Sequence, residues 1–236
     1  MEGLMYVAAI MAFAPTLLLM YAVLKKYTYP AVKQPFFSDP SFFMLFAVGL
    51  VAGTLLFALY TYLLINIVYT MLFSALVVLA LMAVLNLKRY HGKSDTVFYG
   101  YGIGLGVGCT FAFGFIFYMG SFAGTSSSGL LDYIQLFLLA LSFILVIAAI
   151  GTTVGEGVAR LRITEFMLKG LLMSVAFFVI IYATIMAAGS WMYYLGIAAV
   201  MIVSTGMFYK TLVKDLSRVV RDVLKMEGKK RDDVPK

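Results

Sequence analysis

Apolar residues in this chain come in long runs, and polar residues collect in the breaks between them. A helix needs roughly 20 apolar residues to cross the hydrocarbon core of a bilayer, and at that length the runs divide into seven spans. The first covers residues 4–24, with Pro15 expected to kink it. The uncharged stretch 41–87 is too long for one helix and splits near Tyr62, leaving a tight hairpin with Asn66 close to its tip. Spans four to seven cover residues 97–119, 131–154, 166–188 and 192–209. The loop 25–40 mixes three prolines with Tyr27, Tyr29, Phe36 and Phe37, a composition suited to the headgroup level. Residues 120–129 form a Gly/Ser/Thr loop expected to be flexible.

After the seventh span the pattern changes to a helical stripe. Leu212, Leu216, Val219, Val220, Val223 and Leu224 share one face, while Lys214, Asp215, Arg218, Arg221 and Asp222 take the other. This predicts an amphipathic helix that lies on the cytoplasmic leaflet or docks a partner. The expected organisation is a seven-helix transmembrane domain (1–210), an amphipathic helix (211–227) and a disordered basic tail (228–236).

Charge then orients the spans. All eighteen Lys and Arg residues fall on one alternating set of connections or just inside a span at that end. That set carries Lys25, Lys26 and Lys33, then Lys88, Arg89 and Lys93, then Arg160 and Arg162, and finally the tail from Lys210. Lys169, just inside span six, keeps the pattern, and the opposite connections carry no cation. The positive-inside rule reads this as an outside N-terminus and a cytoplasmic C-terminus. The first span has no basic segment before it and is followed by Lys25-Lys26, so it reads as an anchor rather than a cleaved signal.

Composition agrees: 63% of the 236 residues are hydrophobic and only 12% charged, whereas a soluble domain is about a quarter charged. The fold class expected is an all-α polytopic membrane protein, multi-pass in the plasma membrane. The net charge of +7 is no sign of nucleic-acid binding, because its cations sit in short loops beside a bilayer, where they orient helices and attract anionic lipid headgroups. The partners expected are the bilayer and other integral membrane proteins.

Candidate chemistry is sparse. Span four carries glycine at every second position, which makes two adjoining small-residue faces, Gly100/Gly104/Gly108 and Gly102/Gly106. Small residues four apart let helices pack closely in lipid. Glu156 and Lys169 lie near the cytoplasmic ends of spans five and six and are expected to pair across neighbouring helices. With Asn66, Asp95 and Tyr99 they are the candidates for a polar cavity. The sole histidine, His91, lies in a basic loop and the sole cysteine, Cys109, in an apolar span, so neither a zinc site nor a nucleophile–base pair can be assembled. No cofactor is expected.

The stretch from Asp95 through Tyr99, Leu105 and Gly106 resembles the second motif of the PrsW-type intramembrane proteases. Gly151 and Gly155 fit that family's pattern in span five. The resemblance covers residues 95–188 and implies a seven-span framework. It also implies where catalytic groups would stand: Phe111 and Ala112 occupy the Glu-Asn positions, and Phe143 a histidine position. The segment 71–74 lacks the first motif's acids, and span six has no histidine. Such a framework without its catalytic set is similar to the non-catalytic branch of that superfamily, which includes the anterior-pharynx-defective subunit of gamma-secretase. The function expected is a non-catalytic scaffold or assembly subunit. The alternatives are a small-molecule, ion or lipid transporter or channel, and a PrsW-type metalloprotease.

Overall fold

The structure, a computed structural model, describes residues 2–63, 66–122, 129–229, 231 and 233–235. Its helices are α1 (Glu2–Leu24), α2 (Asp39–Leu63), α3 (Ile67–Leu85), α4 (Asp95–Phe122), α5 (Leu130–Ala159), α6 (Ile163–Met186), α7 (Trp191–Phe208) and α8 (Leu216–Met226). Seven helices are long and apolar enough to cross a membrane, and no strand occurs among the described residues. The chain is thus an all-helical, multi-pass membrane protein.

Local signals mark several helix starts. Asn66 caps α3 by accepting the Tyr69 N–H at 3.1 Å. Asp39 and Asp95 sit in the first turns of α2 and α4, where a carboxylate complements the helix dipole. Helix α1 continues on both sides of Pro15. Helix α5 runs five residues beyond the expected Val154, to Ala159, and so carries Glu156 inside it. Gly155 and Gly157 do not stop it because α4 and Phe166 press against them. Tertiary packing overrides glycine's weak helix propensity there.

Helix α4 is the centre of the bundle. It packs against α5 on one side, α2 on another and α1 on a third. Helices α6 and α7 lie on α5, and α3 closes against α6 and α5. Outward faces are apolar: Leu18 of α1, Leu72 of α3 and Ile202 of α7 are among the most exposed side chains, as expected for surfaces meeting lipid rather than water.

Past α7 the helix widens into a π-helical segment, Tyr209–Asp215, before continuing as α8. Leu216, Val219, Val220, Val223 and Leu224 of α8 are buried within the protein itself.

Candidate functional site

The glycines of α4 serve two seams. On the α5 side, a Cβ at Gly104 would lie 2.6 Å from the Ile147 carbonyl oxygen and 3.0 Å from Ala148 Cα. Gly100 and Gly108 face Gly151 and Ile144 of the same helix. On the α2 side, a Cβ at Gly106 would come within 2.9 Å of Gly49 Cα, and Gly102 is closed by the Phe42 ring. The seams are reciprocal. Gly49 and Gly53 of α2 abut the backbone at Ile103 and Val107, and Gly151 and Gly155 of α5 abut Gly104 and Thr96. Gly49 and Gly53 were missed in the sequence although they too stand four apart.

Below the glycines, α2, α3, α4, α5 and α6 converge on a knot of rings. Phe111 of α4 and Phe143 of α5 have centroids 4.9 Å apart. Phe73 of α3 lies 5.9 Å from Phe111, and Phe177 of α6 lies 5.3 Å from Phe143. Tyr60 of α2 and Phe178 of α6 complete it, and every ring is at most 2% exposed. Aromatic pairs at these spacings contribute about 0.5–1.5 kcal/mol beyond area burial. The Tyr60 hydroxyl is buried there with no hydrogen-bond partner among the described residues. The flanking hydroxyls bond to backbone: Ser74 to its own helix, and Ser174 to the Ser74 carbonyl at 2.9 Å, which ties α6 to α3.

Ionisable groups gather instead at the end of the bundle that carries the basic loops. Glu156 lies there, but its ion-pair partner is Arg160, with Nε 2.9 Å from Oε1, and not Lys169. The pairing expected from the sequence is replaced because Arg160 stands one turn along the same helix. The contact is close yet not aligned as a hydrogen bond at Nε. Arg160 also reaches Asp222 of α8 at 3.1 Å. Glu156 and Lys169 do share a partly open cleft of about 150 Å³, lined also by Met173, Met207, Lys210, Thr211 and Asp215.

The other polar candidates are not gathered into that cleft. Asn66 caps α3 at the opposite end of the bundle. Tyr99 accepts the Ser38 N–H at 3.3 Å and packs on Tyr90, and Asp95 opens α4. The structure therefore brings together two of the five residues proposed for a cavity.

The C-terminal segment closes the basic end. Tyr27 Oη lies 2.8 Å from Ser217 Oγ, and the Ser94 N–H donates to the Glu227 carboxylate. Arg231 donates to the Gln34 carbonyl at 2.6 Å, stacks 3.8 Å from the Phe36 ring centroid and pairs with Asp233 at 2.7 Å. Within residues 228–236, read from sequence as a disordered tail, the described residues Arg231, Asp233 and Val234 thus make or bury contacts of their own. Arg231 holds the Asp233 carboxyl down at about 2. Burial works against ionisation of Glu227, but hydrogen bonds from Lys229 and Ser94 outweigh it and keep its carboxyl below the usual range. Burial pushes the Tyr27 phenol up.

No group of three or more His, Cys, Asp or Glu able to hold a metal ion occurs among the described residues. No protein-family model matches the chain, nor does any curated protein or solved structure.

Proposed function

We propose that this chain is a non-catalytic membrane scaffold, a seven-span bundle whose work is to associate with other membrane proteins. The ring knot carries this reading. Phe111, Phe143 and Phe73 stand where the resemblance to the PrsW-type proteases would call for acids and a histidine, and they pack on one another. Packed rings fill the middle of the bundle where that resemblance would place a carboxylate or an imidazole. The reading includes membership of the non-catalytic branch of that superfamily. It also includes an outside N-terminus and a cytoplasmic C-terminus in the plasma membrane, supported by the one-sided distribution of cations.

A face for a partner helix is suggested by α7. Its exposed side sets the small residues Ala198, Ala199, Thr205 and Gly206 around Ile202, with Leu195, Tyr194 and Tyr209 beside them. A Cβ at Gly206 would meet nothing within 4 Å. Lipid-facing positions are ordinarily filled by large apolar side chains, whereas small ones favour close helix contact.

The test is a mild-detergent purification of tagged protein from native membranes, with mass spectrometry of co-purifying chains. A stoichiometric membrane partner that is lost with Gly206→Leu, while the variant keeps its thermal stability, is the result expected. Purification of the chain alone from those membranes would refute the scaffold reading.

A further inference from the structure

We infer that the cleft between α5, α6 and the π-helical segment is a binding site for a phosphate group at the membrane–water boundary. Both carboxylates in the cleft already have guanidinium partners: Glu156 has Arg160 at 2.9 Å, and Asp215 has Arg218 at 3.1 Å. Both lysines lack one. Neither Lys169 nor Lys210 lies within 4.0 Å of a carboxylate among the described residues. Lys169 has the Phe166 ring 5.5 Å from Nζ, and its charge acts on Glu156 from beyond ion-pair distance. Two ammonium groups on exposed lysines therefore line one partly open cleft, each free to take an anion.

The remaining lining fits the same ligand. Thr211 contributes a hydroxyl with no hydrogen-bond partner among the described residues, and Met173 and Met207 supply apolar, adaptable walls. The volume of about 150 Å³ is well above the ~10–15 Å³ that one water requires on the same measure, which leaves room for a tetrahedral oxyanion. The π-helical backbone of Tyr209–Asp215 sets Lys210, Thr211 and Asp215 around the opening. Such widened turns inside helices are frequent at functional sites. Phosphate accepts from two ammoniums and a hydroxyl at once, and charge-assisted bonds of this kind are the strong ones. The phosphate arrives either on a phospholipid headgroup or on a soluble phosphate ester. The inference stands apart from the scaffold reading, because it needs no protein partner.

The experiment is native mass spectrometry of the intact chain in a phosphate-free maltoside detergent. One arm titrates dioleoyl phosphatidylglycerol and the other sn-glycerol 3-phosphate. One phosphatidylglycerol should bind per chain. Affinity should fall about tenfold for each lysine lost, the worth of one charge-assisted hydrogen bond, in Lys169→Met, Lys210→Met and their double variant. The Lys169→Arg/Lys210→Arg variant should recover binding and guards against misfolding. Lys214→Met/Lys225→Met, which removes two charges outside the cleft, should bind as the wild type does. If glycerol 3-phosphate binds with the same lysine dependence, the site stands and its ligand is a soluble ester. Equal affinity for the two methionine double variants, or no binding of either ligand to the wild type, would overturn the inference.

Discussion

Gly104→Ala adds one methyl group and should be among the most damaging small changes this protein can carry. The new Cβ would lie 2.6 Å from the Ile147 carbonyl oxygen, 3.0 Å from Ala148 Cα and 3.3 Å from Gly151 Cα. All three are backbone atoms, so no rotamer change relieves the contact and α4 must move away from α5. Carbon–oxygen contacts of this type settle at about 3.3–3.6 Å, which requires a displacement of roughly 0.7–1 Å. A gap of that size forfeits about a quarter to a half of the dispersion energy along the seam. Overpacking typically costs about 1–3 kcal/mol, and here the upper end applies because backbone meets backbone. Alanine's better helix propensity returns about 1 kcal/mol, leaving a net loss of about 2 kcal/mol. Gly206→Ala provides the contrast. Its Cβ meets nothing within 4 Å, so only the propensity gain of up to about 1 kcal/mol remains. Unfolding of both variants by sodium dodecyl sulfate in mixed micelles, followed by circular dichroism, measures the difference. Curves for the two that coincide within about 0.5 kcal/mol, the ordinary scatter of surface changes, would refute the close-packing argument.

Two further outcomes are expected. Arg160→Ala should destabilise by about 2 kcal/mol, below the ~3–5 of a fully buried pair because the Arg160 side chain is 22% exposed. In the same assay, Glu156→Gln added to Arg160→Ala should recover part of the loss, since no buried charge is then left alone. Docking of the C-terminal segment should fail in acid. Glu227 and Asp233 both have carboxyls held below their ordinary values of 4.5 and 3.8, Asp233 at about 2. A depressed carboxyl stabilises fully above its unfolded value and ceases to as pH falls through the folded one. Hydrogen exchange at the amides of Lys33, Gln34 and Phe36, corrected for intrinsic rate, should therefore be constant from pH 7 to about 5 and accelerate between 4.5 and 2. Exchange that is flat throughout, or faster at high pH, would exclude this origin.

The spans were legible in sequence because a bilayer demands uninterrupted apolar length, and runs such as 41–87 admit few divisions. The spacing of Gly100 to Gly108 marks two faces on α4 but not which helices meet them; Gly49 and Gly53 stand at the same spacing, yet a single pair in an apolar run does not stand out. The partner of Glu156 is not legible in sequence, because an acid and a lysine at one depth on neighbouring helices are complementary on charge alone. The nearer Arg160, one turn along the same helix, takes the contact. Least legible was the closure of the basic end. Phe36 and Arg231 stand almost two hundred residues apart, and nothing local in either segment specifies the other. The ring knot lies between these cases: each phenylalanine reads as ordinary span filling, and only the fold makes them meet.

Helix α4 is held between one neighbour that precedes it in the chain and one that follows. Synthesis delivers α2 first, then α4, then α5. The α2 seam can form as soon as α4 enters the bilayer, whereas Gly100, Gly104 and Gly108 must wait for Gly151 and Gly155. At about 5–20 residues per second, the 33 residues from Phe122 to Gly155 leave that face without its partner for a few seconds. A nascent chain arrested in that interval has half an interlock and a bare glycine rail toward lipid, a surface that any passing small-residue helix can occupy. The α4–α5 seam is thus open at one definable chain length during biogenesis and closed in the finished bundle.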